Sequence, residues 1–178
     1  MSVVAKLQSI YLFKDVPQRS LEEFIVHAPP VQFPRGSEVF RQGSPADVAL
    51  LLIEGRLIAQ VEAGGEVREV GEIRPGEILG EQGLFVPGGK RSATVVAAEA
   101  CECLLLDRRV MDQAATNPAV VKLEQHLLGT LARRIRKTNQ SIQQAWKAEA
   151  PTETGAIAEA TPAPTTIRQR LARIFGGS

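Results

Sequence analysis

The sequence predicts an α+β protein, mainly β: an antiparallel, jelly-roll-like β-roll flanked by N-terminal helices and a long C-terminal helix. Three observations predict it. Between residues 31 and 106, short β-branched and apolar segments alternate with glycine-bearing turns, the texture of an antiparallel roll or barrel. Ahead of that stretch, Val3, Val4, Leu7, Ile10 and Tyr11 recur at roughly helical spacing. Behind it, Asn117-Pro118 places a capping residue before a proline at the first helical position, and no proline follows until Pro151.

The first helical pattern breaks at Phe13-Lys14-Asp15-Val16-Pro17. Ser20-Leu21-Glu22-Glu23 has the capping-box form, so a second helix is expected to start there and to stop before Pro29-Pro30. Strands are expected at 31–33, 37–41, 48–54, 57–63, 66–73, 77–79, 92–98 and 101–106. Leu50-Leu51-Leu52-Ile53 is an uninterrupted apolar run and reads as a fully buried strand. Gly64-Gly65 reads as a hairpin turn. Asp107 is placed to cap a short helix through Met111 and Ala115.

The long helix is expected over 118–146, with Leu123, Leu127, Leu131, Ile135, Ile142 and Trp146 as its apolar stripe. Some 30 residues make about 45 Å of helix, which overruns a small domain. Part of the stripe is therefore expected to pair with a second copy, giving a homodimer. One domain is thus predicted over 1–146, with its roll at 30–106. Residues 147–164, rich in Ala, Pro, Thr and Glu, read as a disordered linker. Residues 165–178 read as a short basic amphipathic tail. There Ile167, Leu171, Ile174 and Phe175 share a face beside Arg168, Arg170 and Arg173, a pattern suited to a partner groove or an anionic surface.

Bulk properties narrow the function classes. The 178 residues carry a formal net charge of +1, so no global field draws the chain to nucleic acid or membrane. The N-terminus has lysines within its apolar stretch and no small-residue cleavage site, and no run approaches the ~18 apolar residues of a membrane span. A cytoplasmic protein is expected. Cys101 and Cys103 lie two apart on a predicted strand and read as small hydrophobes facing a core. With only His27 and His126 besides, no four-ligand metal site is expected.

The chemistry concentrates between Gly76 and Val96. Gly80-Glu81 opens a short helical turn through Leu84 and Phe85, a glycine-rich bend follows at 87–89, and Arg91-Ser92-Ala93 leads into a β-branched run. Unpaired amides at a helix start favour an anion, Arg91 offers a two-pronged cation and Ser92 a hydroxyl. Glu81 is an acceptor only, which suits a sugar hydroxyl rather than a phosphate. One phosphate beside one free ribose hydroxyl describes a cyclic nucleotide. A surface ion pair between Glu81 and Arg91 would account for the same two residues without any ligand. A phosphate loop of the G-x-x-x-x-G-K-[ST] type does not fit, because Leu84 stands where glycine is needed and Arg91 where Ser or Thr is needed.

The order of residues around this stretch, with Gly36, Gly43, Gly55, Gly76 and Gly80 at turn positions, resembles the cyclic nucleotide-binding domain family. Within it, the nucleotide domain of bacterial catabolite activators is most similar, over roughly residues 8 to 145. The resemblance implies that Gly80, Glu81, Arg91 and Ser92 fill a phosphate-binding cassette, with Gln82 and Ala93 beside them. It also implies that Arg134 turns toward Glu81, and that Thr138 and Asn139 meet the purine edge, one from each subunit. Two residues depart from the pattern: Asn139 stands for a serine, and Gln82 for an apolar residue. Thr138 and the helix pattern favour cAMP, while a hydroxyl residue after the cassette arginine also suits cGMP.

Catabolite activators continue into a DNA-reading domain, whereas only about 30 residues follow the long helix here, so no DNA partner is expected. No nucleophile–base pair stands out, and no enzyme activity is expected. The expectation is a stand-alone cyclic nucleotide sensor in signal transduction that acts through an effector protein. The rival is a scaffold that keeps the roll and binds only proteins.

Overall fold

The computed structural model describes residues 1–113 and 116–149. Residues 1–138 form one compact unit; of a second, 139–178, residues 139–149 are described, and they are helical. The expected linker and tail beyond 149 lie outside the described residues.

Helix α1 (Val3–Ser9) is capped by the Ser2 hydroxyl, which accepts from the Ala5 amide at 3.2 Å. A 3₁₀ turn (Tyr11–Phe13) leads to helix α2 (Gln18–His27). This helix begins ahead of the expected capping box. The Pro17 carbonyl accepts from the Ser20 and Leu21 amides at 3.0 and 3.2 Å, so the first turn is closed before Ser20 can act as a cap.

Ten strands follow: β1 (Pro30–Phe33), β2 (Glu38–Phe40), β3 (Pro45–Ala46), β4 (Ala49–Glu54), β5 (Leu57–Ala63), β6 (Glu66–Ile73), β7 (Ile78–Leu79), β8 (Gly89–Lys90), β9 (Thr94–Ala97) and β10 (Cys101–Leu106). Helix α3 (Gln82–Phe85) interrupts them between β7 and β8. One sheet runs β1-β10-β4-β7, a second β2-β9-β5-β6, and β3 pairs with β8 alone. Every pairing is antiparallel. The β5–β6 hairpin turns at Gly64 and Gly65 with φ of 62° and 81°, a geometry that glycine adopts without the Cβ penalty.

Strand alternation divides the core in two. Leu50 and Leu52 of β4, with Cys101 and Cys103 of β10, fill the interior of the roll against Leu57, Leu79, Val95 and Ala97. The alternate residues Leu51, Ile53, Leu104 and Leu106 face the helices. There they meet Leu7, Phe13, Leu21 and Phe24, together with Ala119, Val120, Leu123 and Leu127. The period of two in side-chain direction lets one apolar run serve both layers.

Helix α4 (Arg108–Gln113) is capped by Asp107, whose carboxylate accepts from the Val110 amide at 2.8 Å. Helix α5 (Pro118–Glu149) starts at the Asn117 cap, where the side-chain oxygen accepts from the Ala119 amide at 2.8 Å. It continues to Glu149, past the boundary expected at 146 and into the stretch read as linker. Its first turns are anchored in the core through Val120, Leu123 and Leu127, whereas Ile135, Ile142 and Trp146 are 61%, 42% and 69% exposed.

Candidate functional site

The roll places one cavity of about 180 Å³ between β2, β5, β7, α3 and the segment around β8, with Arg134 of α5 also on its lining. Gly80, Glu81, Gln82, Arg91, Ser92, Ala93 and Arg134 of the expected site all line it. Phe40, Ala46, Ala59, Ile73, Ile78, Leu79, Lys90 and Val95 complete the walls. Six of the seven lie within residues 80–93, and the fold brings the distant Arg134 to them.

Two of the lining residues are charged and buried: Glu81 is 5% exposed and Arg91 7%. They do not pair with each other. Glu81 forms an ion pair with Nη1 of Arg134, whose side chain is more than half exposed. Arg91 lies with its guanidinium carbon 3.6 Å from the centre of the Phe40 ring. Its Nη1 donates to the Gly80 carbonyl at 3.4 Å, and among the described residues no carboxylate lies within ion-pair distance. A guanidinium has five N–H donors, so most of those on Arg91 have no protein acceptor among the described residues.

Burial pulls the Arg91 guanidinium below its ordinary pKa, and Asp47 acts in the opposite direction. An arginine does not relieve such burial by losing its proton, so the cation remains. The backbone fixes the arginine firmly: the Arg91 amide donates to the Ser44 carbonyl, and the Gly43 amide to the Arg91 carbonyl, both at 2.8 Å.

Gly80 makes the arrangement possible. Its φ is 71°, and a Cβ there would lie 2.9 Å from the Phe40 ring and 3.2 Å from the Val48 carbonyl, and would collide with the Arg91 guanidinium. The other four glycines of the expected frame, Gly36, Gly43, Gly55 and Gly76, also have positive φ, between 78° and 92°.

The structure corrects the sequence reading in one respect. The amides at the start of α3 are only partly available, because those of Gly83 and Leu84 donate to the Gly80 and Glu81 carbonyls at 3.0 Å. The short turn thus closes on itself. Thr138 is exposed and is not among the lining residues of the cavity, although it stands one helical turn beyond Arg134. Asn139 is likewise exposed and belongs to the second unit.

A second hollow of about 470 Å³ shares Ala59, Ile73, Ile78 and Arg134 with the first. Val70, Gly71 and Glu72 of β6 and His126, Thr130 and Arg133 of α5 extend it. Burial and the neighbouring Arg133 hold the His126 pKa below its ordinary value, against an opposing pull from Glu77. Phe40, Lys90 and this second hollow escaped the sequence reading. Phe40 looked like one more apolar strand residue, and nothing local marks the residue it stacks on.

Residues 30–117 match the model of the cyclic nucleotide-binding domain. The chain is 29% identical over 133 residues to a CRP-like cAMP-activated global transcriptional regulator of Mycobacterium tuberculosis, covering 74% of this chain and 58% of that protein. It is 32% identical over 111 residues to a cyclic AMP receptor protein of Thermus thermophilus, covering 62% and 50%. Among solved structures it is similar to the Thermus thermophilus catabolite activator protein, with a TM-score of 0.64 and 27% identity over 75% of this chain and 62% of that one. The chain thus spans between half and three fifths of the length of the curated relatives it matches.

Proposed function

We propose, from the premise that residues 30–117 belong to the cyclic nucleotide-binding domain family, that the chain senses a cyclic purine mononucleotide, cAMP in preference to cGMP. The observation that carries this reading is the buried Arg91, held on Phe40 beside the cavity with no carboxylate among the described residues within ion-pair distance. The guanidinium and the Ser92 hydroxyl would take the cyclic phosphate. Glu81 would accept from the ribose hydroxyl while its ion pair with Arg134 keeps it oriented. The apolar wall of Ala59 and Ile73, common to both hollows, offers a face to the purine.

Thr138 is proposed to reach the base edge from its own subunit and Asn139 from a sister subunit, in a homodimer built on α5. The exposed Ile135, Ile142 and Trp146 support that pairing. The preference for cAMP rests on the relatives named for it and on Thr138. Ligand binding would bias the position of α5, a two-state element that an effector protein can read. The chain acts by binding, not catalysis, and through a protein rather than DNA, with residues 165–178 as the contact to the effector.

Displacement of a fluorescent cAMP analogue by unlabelled cAMP and cGMP tests the base preference. cAMP displacing at the lower concentration supports it, and cGMP displacing first reverses it. Pull-downs with and without residues 165–178 test the effector contact: the tail's removal should lose a partner while nucleotide affinity stays unchanged.

A further inference from the structure

We infer that Phe40 is a positioning residue for nucleotide binding: its ring holds the Arg91 guanidinium in the plane from which it meets the cyclic phosphate. The inference rests on the cyclic nucleotide reading of the cavity. Three observations carry it. The Arg91 guanidinium carbon lies 3.6 Å from the ring centre, well inside the range of a cation–π contact. Gly80 has no room for a Cβ because the Phe40 ring and the Arg91 guanidinium occupy that space, so ring, glycine and cation form one close-packed stack. Apart from this ring, the only hydrogen bond that ties the side chain among the described residues is its 3.4 Å bond to the Gly80 carbonyl.

A guanidinium is a flat, two-pronged donor, and its value for an oxyanion depends on the orientation of that plane. A long arginine side chain is otherwise free to rotate, and ordering it on binding weakens affinity. Phe40 removes that freedom in advance. Its backbone is itself fixed by the pairing of β2 with β9, where Phe40 stands opposite Val95. An aliphatic residue in its place would fill much of the space but present no π face. Tyrosine would keep the face.

Binding of cAMP to the full chain is to be compared for wild type, Phe40→Leu, Phe40→Tyr, Arg91→Gln and the Phe40→Leu/Arg91→Gln double variant. NMR shift titration suits this, since it also follows weak binding and reports whether each variant is folded. Phe40→Leu is expected to weaken binding about tenfold and Phe40→Tyr to stay within about twofold of wild type. In the Arg91→Gln background, Phe40→Leu should cost less than about twofold more, because the cation it orients is gone. Wild-type affinity in Phe40→Leu overturns the inference, and so does an undiminished tenfold loss in the Arg91→Gln background, which marks the ring as packing alone. A wild type that binds no cyclic nucleotide overturns the reading beneath the inference, and the inference with it.

Discussion

Glu81 and Arg91 face the same cavity, both almost fully buried, yet each is held by a different neighbour. Glu81 is paired with Arg134 of the long helix, and Arg91 is stacked on Phe40 of the roll. Opposite charges this close in sequence and space would satisfy each other if the site were only structural. Their separation keeps a cation and a carboxylate available on one hollow. It also attaches the carboxylate, but not the cation, to α5. A ligand touching both would therefore act on the helix through Glu81.

Arg134→Ala removes the only charged partner of Glu81 among the described residues. A carboxylate left buried without its donor should lower unfolding stability by about 1–2 kcal/mol, less than for a fully buried pair because Arg134 is half in solvent. Urea denaturation of Arg134→Ala and of Arg134→Ala/Glu81→Gln checks this. The second change is expected to recover part of the loss, since an amide is cheaper to leave buried than a charge.

Gly80→Ala introduces a Cβ against the Phe40 ring and the Val48 carbonyl at a backbone φ of 71°. Strain and displacement of Arg91 should together cost roughly 1–3 kcal/mol of stability. Thermal unfolding monitors the first effect. Nucleotide titration monitors the second, with binding reduced far more than by a surface substitution such as Lys14→Ala.

Burial, followed by the neighbouring Cys101 and Glu102, pushes the Cys103 thiol up to about 12. The folded chain then keeps this proton at a pH where the unfolded chain has lost it. The contribution of the neutral thiol is complete below the unfolded thiol pKa of about 8.5, and is lost as pH rises toward the folded value, at up to about 1.4 kcal/mol per pH unit. Denaturant unfolding of wild type and Cys103→Ala between pH 8 and 11 should show the wild-type advantage shrinking as pH rises. A difference constant across that interval would contradict the assignment.

Ile135, Ile142 and Trp146 leave apolar surface on α5 exposed. If they form a seam between two copies, Ile142→Lys combined with Trp146→Lys should convert a dimer to a monomer in sedimentation equilibrium. A wild type that sediments as a monomer at ~100 μM would remove the dimer, and with it the assignment of Asn139 to a sister subunit's pocket.

Much of the roll was legible in the sequence, since β-branched runs between glycines define strands by local pattern alone. The buried run at 50–53 and the caps at Asp107 and Asn117 all appear where the sequence places them. The pairing of β3 with β8 was not legible, because strands of two residues carry no periodicity. The start of α2 was missed for a related reason: the capping box at Ser20 is a true local signal, but Pro17 closes the turn first. In the site, the glycine frame and the charged residues stood out by type and spacing. Phe40 did not, because an arene that orients a cation looks like any other strand phenylalanine until the fold brings the two together. Nor does spacing alone tell that Thr138 is exposed in the described unit, since that depends on what covers the helix.

The contact of Arg91 with a nucleotide phosphate is tested most directly by titration calorimetry of the full chain with cAMP and with cGMP, for wild type and Arg91→Ala. Saturable heat is expected for wild type with at least one of them. Loss of the buried charge-assisted contact in Arg91→Ala should weaken that binding by about 2–4 kcal/mol. Flat titrations of the wild type with both nucleotides, or an Arg91→Ala variant that binds as tightly as its parent, would contradict it.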